Sequence, residues 1–294
     1  MDIPPGNLQR VVIVGGGFAG IELAKQLHNR FQVVLIDKNN FHPFQPLLYQ
    51  VATAGVEPDS VVFPLRKIFS GYREFYFRLT EAQEILPGKN ILVTPIGDLQ
   101  YDYLVLATGS DTNFFGMKET QKFSLAMKTV REALDLRSCI LQNFEMALIV
   151  PDMEKKQALM NYVIVGGGPT GVELAGALAE LRKHVLPNDY PELDLMKMEI
   201  HLVDTGARLL GTMDERSSLK AEKFLRDMGV DVLLNTRITG YDGKTATTDT
   251  GKMFSCATLI WAAGVKGVPL KGIPENALLP NGRIKVDAFG KVNG

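Results

Sequence analysis

The chain has 294 residues, of which 46% are hydrophobic and 22% charged, with a formal net charge of −1. That length suits two domains of ordinary size with apolar material for a core in each, and the near-neutral balance excludes a nucleic-acid footprint. Two distant cysteines, Cys139 and Cys256, fit a reduced cytosolic chain and no disulfide framework, and no apolar run approaches transmembrane or signal-peptide character.

A polar lead over residues 1–8 precedes a β-branched run at 11–14, a glycine turn and a helical pattern to Leu27; a second strand, FQVVLID, ends on Asp37. Residues 38–60 are aromatic and proline-rich, then helix-like over 47–54. Such a loop after a strand end either lines a ligand crevice or is a packed connector. Residues 63–71 suggest a short helix and 74–79 alternate as a strand. Pro87 to Asn90 reads as the turn of a hairpin joining 84–86 to 91–94, and 103–107 as a buried strand ending in Thr108 and Gly109.

Residues 111–127 read as a loop and the domain crossing, and 129–148 as a helix. A second strand–turn–helix starts at Tyr162. The stretch 183–198 reads as an inserted excursion in which Pro187 and Pro191 break any helix. EIHLVD then ends on Asp204, and 214–228 forms a helix closed by Gly229. Short strands follow at 231–234, 237–241, 245–248 and 253–255, and a buried strand at 258–262 ends in Ala263 and Gly264. The four histidines (His28, His42, His184 and His201) lack metal-ligand spacing and read as surface or loop residues.

The organising feature is one motif written twice. Residues 11–27, VVIVGGGFAGIELAKQL, and 162–178, YVIVGGGPTGVELAGAL, are identical at 11 of 17 positions. Gly15, Gly17 and Gly20 match Gly166, Gly168 and Gly171. In a strand–GxGxxG–helix unit the first glycine permits the tight turn, the second admits a pyrophosphate against the backbone, and the third lets helix lie close on strand. The helix N-terminus then offers free N–H groups to phosphate. Asp37 lies 17 residues beyond Gly20 and Asp204 lies 33 beyond Gly171, each placed to meet a ribose. Two such units imply an α/β chain of two Rossmann-like domains, two cofactors, and chemistry passing between them.

FHPFQPLLYQVATAGVEP, GPTGVELAGALAEL and TLIWAAGV together resemble type II NADH:quinone oxidoreductase, the single-subunit respiratory NADH dehydrogenase of the two-dinucleotide-domain flavoproteins. The resemblance implies an NADH domain at 119–273 inserted into an FAD domain at 1–118 and 274–294. It implies FAD on Gly15, Gly17, Phe18, Ala19, Gly20, Asp37 and Lys38, with Thr108 and Gly109 nearby. NADH would lie on Gly166, Gly168, Pro169, Thr170, Gly171, Glu173 and Asp204, with Ala263 and Gly264 at its nicotinamide side. Gln45, Pro46, Leu47 and Tyr49 would face flavin and quinone. Both Glu22 and Glu173 suit a helix dipole, and the resemblance favours Glu173 as the catalytic one.

The family continues beyond the point where this sequence stops, with a further flavin-binding strand, a quinone motif and membrane-binding amphipathic helices. The expectation is therefore a truncated chain, itself inactive or impaired with quinone, from a peripheral protein at the cytoplasmic face of the inner membrane. A homodimer is left open. A ferredoxin- or rubredoxin-type reductase and a non-catalytic nucleotide-binding module compete with this reading. Disulfide reductases and sulfide:quinone oxidoreductase would need reactive cysteines, which the spacing of Cys139 and Cys256 does not supply.

Overall fold

The computed structural model describes residues 1–292; residues 293 and 294 of the expected 274–294 return segment lie outside the described residues. The chain divides into two compact units. One comprises Met1–Pro43, Val62–Asp111 and Val265–Gly294, the other Phe44–Val61 and Thr112–Gly264. The crossings between these compact units fall after Asp111 and Gly264, and Phe44–Val61 joins the second unit.

In the first unit four parallel strands run in the order Phe75–Leu79, Gln32–Asp37, Arg10–Val14, Tyr103–Leu106. Val11 and Ile13 pack on one face with Ile21 and Ala24 of the Phe18–Leu27 helix and with Leu65. Val12 and Val14 pack on the other with Ile85, Leu92 and Leu99 of an antiparallel three-stranded sheet. Burial on both faces is why the strand reads as an unbroken apolar run. Each such side chain contributes roughly 1.5–3 kcal/mol on removal from water.

The second unit repeats the plan. Five parallel strands run Leu125–Ala126, Thr258–Trp261, Tyr162–Val165, Ile200–Val203, Asp231–Leu233. A three-stranded antiparallel sheet, Ile238–Tyr241, Thr245–Thr248 and Met253–Ser255, supplies Ile238, Tyr241, Ala246 and Phe254 to a core with Val163, Val165 and Trp261.

Several elements differ from the sequence expectations. Tyr103–Leu106 is half-buried to exposed rather than buried, because it is the outermost strand of its sheet. Residues 63–71 open as a strand, Val62–Pro64, paired with Phe41–Pro43, before the helix Leu65–Ile68. The expected loop at 111–127 contains the helix Lys118–Phe123 and the strand Leu125–Ala126. A further helix, Met153–Met160, is capped by Asp152.

Pro187 does not break its helix. The Pro169–Glu180 helix widens through a π-type turn, Leu181–Val185, and re-forms as Leu186–Asp189 with Pro187 in its first turn, where the missing N–H is not needed. Pro191 follows that end. Two of the four histidines are buried, not surface groups. His42 packs edge-on against Phe18, with centroids 4.6 Å apart. His201 sits on an inner strand, where Glu199 and Asp231 occupy its two ring nitrogens, each at 3.1 Å.

Candidate dinucleotide sites

Strand register assembles each site. Val14 pairs with Ile36 and with Leu106, so Gly15, Asp37 and Ala107 leave neighbouring strand ends together. Val165 pairs with Val203 and Trp261, which aligns Gly166, Asp204 and Ala262 in the same way. The Gly15 N–H donates to the Ile36 carbonyl at 2.8 Å and the Gly166 N–H to the Val203 carbonyl at 2.8 Å.

The three motif glycines separate physically into three roles. Gly15 and Gly166 have φ of +111° and +113°, a left-handed turn that a side chain resists. At Gly20 and Gly171 a Cβ would stand 1.9 Å from the carbonyl oxygens of Gly15 and Gly166, so helix and turn can meet only without one. Gly17 and Gly168 have ordinary extended backbone and nothing within 4 Å of a Cβ position. Their surroundings are open, as an approaching pyrophosphate requires.

The intervening glycines, Gly16 and Gly167, lie outside the GxGxxG pattern, although each copy carries three consecutive glycines. A Cβ there would meet Leu65 and Asp37 in the first loop, and Leu209 and Asp204 in the second. Their N–H groups donate to Asp37 Oδ2 at 2.6 Å and Asp204 Oδ2 at 2.5 Å. The other carboxylate oxygens accept from Asn39 at 2.7 Å and Gly206 at 2.6 Å. Each aspartate therefore braces its glycine loop, while its two oxygens keep lone pairs for a ribose hydroxyl. Lys38 is exposed beside Asp37, and Arg208 donates to the Gly211 carbonyl at 3.0 Å.

The helices that follow the loops differ from the other described helices of eight residues or more. The helices starting at Val130, Met153 and Glu215 are capped by Thr129, Asp152 and Asp214 side chains. The Phe18–Leu27 and Pro169–Glu180 helices have no side-chain cap. First-turn N–H groups, from Ala19 and Gly20 and from Thr170 and Gly171, face the loop end where an anion would sit.

His42 borders the first loop. Burial holds its pKa below the usual histidine value, partly offset by a backbone interaction at Gly16 and by the Asp37 charge. Thr108 Oγ1 donates to the Val268 carbonyl at 3.1 Å, and Gly109 (φ +70°) has open space where a Cβ would be. Its counterpart Gly264 (φ +69°) is covered, with Phe115 ring atoms 2.5 Å and 2.7 Å from a Cβ position.

In the second unit the helix Leu48–Ala52 packs on the Val130–Ile149 and Pro169–Glu180 helices. This brings the Tyr49 hydroxyl near the Glu173 carboxylate, while Gln50 Nε2 donates to Tyr49 at 3.3 Å. Burial first, then the Glu173 charge, raises the Tyr49 pKa. Gln45 and Pro46 are exposed and Leu47 half-buried. Glu22, the counterpart of Glu173, instead accepts from Gln26 on its own helix at 2.8 Å. Both cysteines are free. Cys256 is buried, and burial pushes its thiol up to about 12.

Two parallel sheets, each ending in an uncapped glycine loop with an aspartate beneath it, define a protein built for two dinucleotides. The pyridine nucleotide-disulphide oxidoreductase family profile matches residues 9–294, and the chain belongs to that family. Within it, the chain is 35% identical over 274 residues to the type II NADH:quinone oxidoreductase NdhA of Mycobacterium tuberculosis, covering 90% of this chain and 58% of that protein. It is 32% identical over 297 residues to Ndh of the same organism, covering 98% and 63%. The chain thus spans about three-fifths of the length of these relatives. Among solved structures, NDH2 from Plasmodium falciparum in complex with RYL-552 shares the fold with a TM-score of 0.86 at 22% identity, over 93% of this chain and 60% of that one.

Proposed function

We propose that the chain carries the two nucleotide sites of a type II NADH:quinone oxidoreductase, with FAD on the 15–20 loop and NADH on the 166–171 loop. The observation that carries this is the doubled cradle: in both units the second glycine opens onto an uncapped helix N-terminus. FAD, when bound, accepts hydride from NADH and passes two electrons to a quinone. The protein's residues do the rest. Gly15 to Gly20 hold the FAD diphosphate, Asp37 its ribose, and Thr108 and Gly109 leave backbone room beside it. Gly166, Gly168, Pro169, Thr170 and Gly171 hold the NADH diphosphate.

Asp204 accepts from the adenosine ribose hydroxyls and repels a 2′-phosphate. Arg208, engaged with Gly211, does not offset that repulsion. NADH is therefore the preferred donor, and equal affinity for NADPH in a titration would overturn the assignment. Glu173 lies on the helix of the second site with Tyr49 beside it, and we assign this pair to the acceptor side. Gln45, Pro46 and Leu47 line the quinone approach. The assay is NADH oxidation with a soluble quinone after supplementation with FAD, with flavin and NADH binding titrated alongside; absence of both flavin and NADH binding would refute the reading. Disulfide exchange at Cys256 is disfavoured, because a buried thiol held near 12 is a poor nucleophile.

The acceptor we assign is a membrane quinone, reached as a peripheral protein at the cytoplasmic face of the inner membrane. Among the described residues, no helix is long and apolar enough to cross a membrane.

A further inference from the structure

Phe115 stands in a conformation that a bulky residue avoids. Its φ is +50°, and Gly116 after it is at +83°. A residue held there persists only where its surroundings impose it, and such strain gathers at clamps and switches. Core packing does not impose it, since Phe115 is 63% exposed. Its ring lies on the Gly264 backbone, 2.5 Å from where a Cβ would stand.

Asn113 supplies the restraint. Its Oδ1 accepts from the Phe115 N–H at 2.9 Å. Its own N–H donates to the Gly264 carbonyl at 3.2 Å, and its carbonyl accepts from Trp261 Nε1 at 3.0 Å. Phe114, by contrast, is anchored, stacked on buried Trp261 with centroids 5.3 Å apart. One ring is stacked against the core and its neighbour lies outside, held by the Asn113 acceptor and by a looser, tilted contact with the same Trp261, centroids 6.5 Å apart. Register places this turn at the strand end next to Gly166, so a nucleotide extending from the phosphate cradle along the strand ends meets the Phe115 ring.

We infer that Phe115 is a movable cover on the Ala263–Gly264 turn, latched by Asn113 and displaced by the nicotinamide end of the dinucleotide. The inference rests on the assignment of NADH to this unit. A cover that must be displaced lowers apparent affinity by the fraction of time it is open. A nucleotide that ends at the second ribose does not displace it.

The test is calorimetric titration of residues 1–294 with NADH and with ADP-ribose. Phe115→Ala should tighten NADH binding about fivefold, the gain expected if the cover is closed about four-fifths of the time, and leave ADP-ribose within about twofold. Asn113→Ala should do the same, whereas Asn113→Asp, which keeps the acceptor, should behave as the parent. An unchanged melting temperature and far-ultraviolet circular dichroism report that the fold survives in each variant, since Trp261 emission would also sense the loss of the Phe115 ring. NADH binding that is unchanged or weakened in Phe115→Ala, or an equal gain for ADP-ribose, overturns the cover while leaving the NADH site standing. A parent chain that binds neither ligand overturns the NADH assignment and the cover with it.

Discussion

At the scale of single residues, the most decisive positions are those where a methyl group would tell a binding role from a packing role. Gly168→Ala places its methyl in open space on ordinary backbone. Thermal stability should stay within about 0.5 kcal/mol of the parent, while NADH affinity falls roughly tenfold, about 1.4 kcal/mol. Gly171→Ala drives its methyl to 1.9 Å from the Gly166 carbonyl oxygen. It should cost about 1–3 kcal/mol or more in stability whether or not nucleotide is present. Denaturant titrations of the two variants, run beside nucleotide titrations, should give opposite patterns, and similar patterns would dissolve the distinction. His42 makes a pH-dependent prediction. Its folded pKa is depressed by burial, so between that value and 6.5 the unfolded chain binds more protons than the folded one. Its contribution to stability is full above about pH 6.5 and is lost as pH falls through the folded value. His42→Gln should therefore flatten the melting temperature between about pH 7 and pH 5; an unchanged slope would assign that dependence to other groups.

At the scale of elements, the helix Leu48–Ala52 matters because of what it carries to the Pro169–Glu180 helix. From sequence, Tyr49 and Glu173 are 124 positions apart in separate motifs; helix packing puts one on the other. Arg137 of the Val130–Ile149 helix adds a tether to Glu57 at 3.5 Å. That pair is partly exposed and should contribute no more than about 1 kcal/mol, so the apolar contacts of Leu48, Val51 and Ala52 hold the element. Tyr49→Phe keeps those contacts and removes only the hydroxyl. In stopped-flow measurements on the FAD-supplemented protein, it should slow reoxidation by quinone while leaving flavin reduction by NADH close to the parent rate. Slowing of the reductive step instead would move Tyr49 out of the quinone side.

At the scale of the whole molecule, two units with separate cores and separate cradles should respond to separate ligands. A ligand at 100 times its dissociation constant stabilises its own folded unit by about 2.7 kcal/mol. In amide hydrogen exchange, NADH should protect residues 166–173 and the strand ends at Val203 and Trp261. FAD should protect residues 15–22 and the strand end at Ile36. Protection of both loops by NADH alone would mean that the cradles are not assigned one nucleotide each.

The sequence by itself determined the doubled strand–glycine–helix unit, the two aspartates, the hairpin, the helix closed by Gly229 and the parallel α/β class. These are local: steric limits on φ, period-2 and period-3.6 burial, and turn chemistry act within a few residues and are written in them. What only the tertiary structure decided depends on residues far apart in the chain. The N–H groups of Gly16 and Gly167 meet carboxylates 21 and 37 residues away, so nothing local distinguishes those glycines from their neighbours. His42 and His201 looked like surface residues because burial depends on which strands and rings surround them. Pro187 looked like a break because a wider turn, supported by packing, is invisible to a residue-by-residue rule. The Phe44–Val61 segment could not be given to the second unit, nor Phe115 to Gly264, until strand order and helix packing had fixed which surfaces meet.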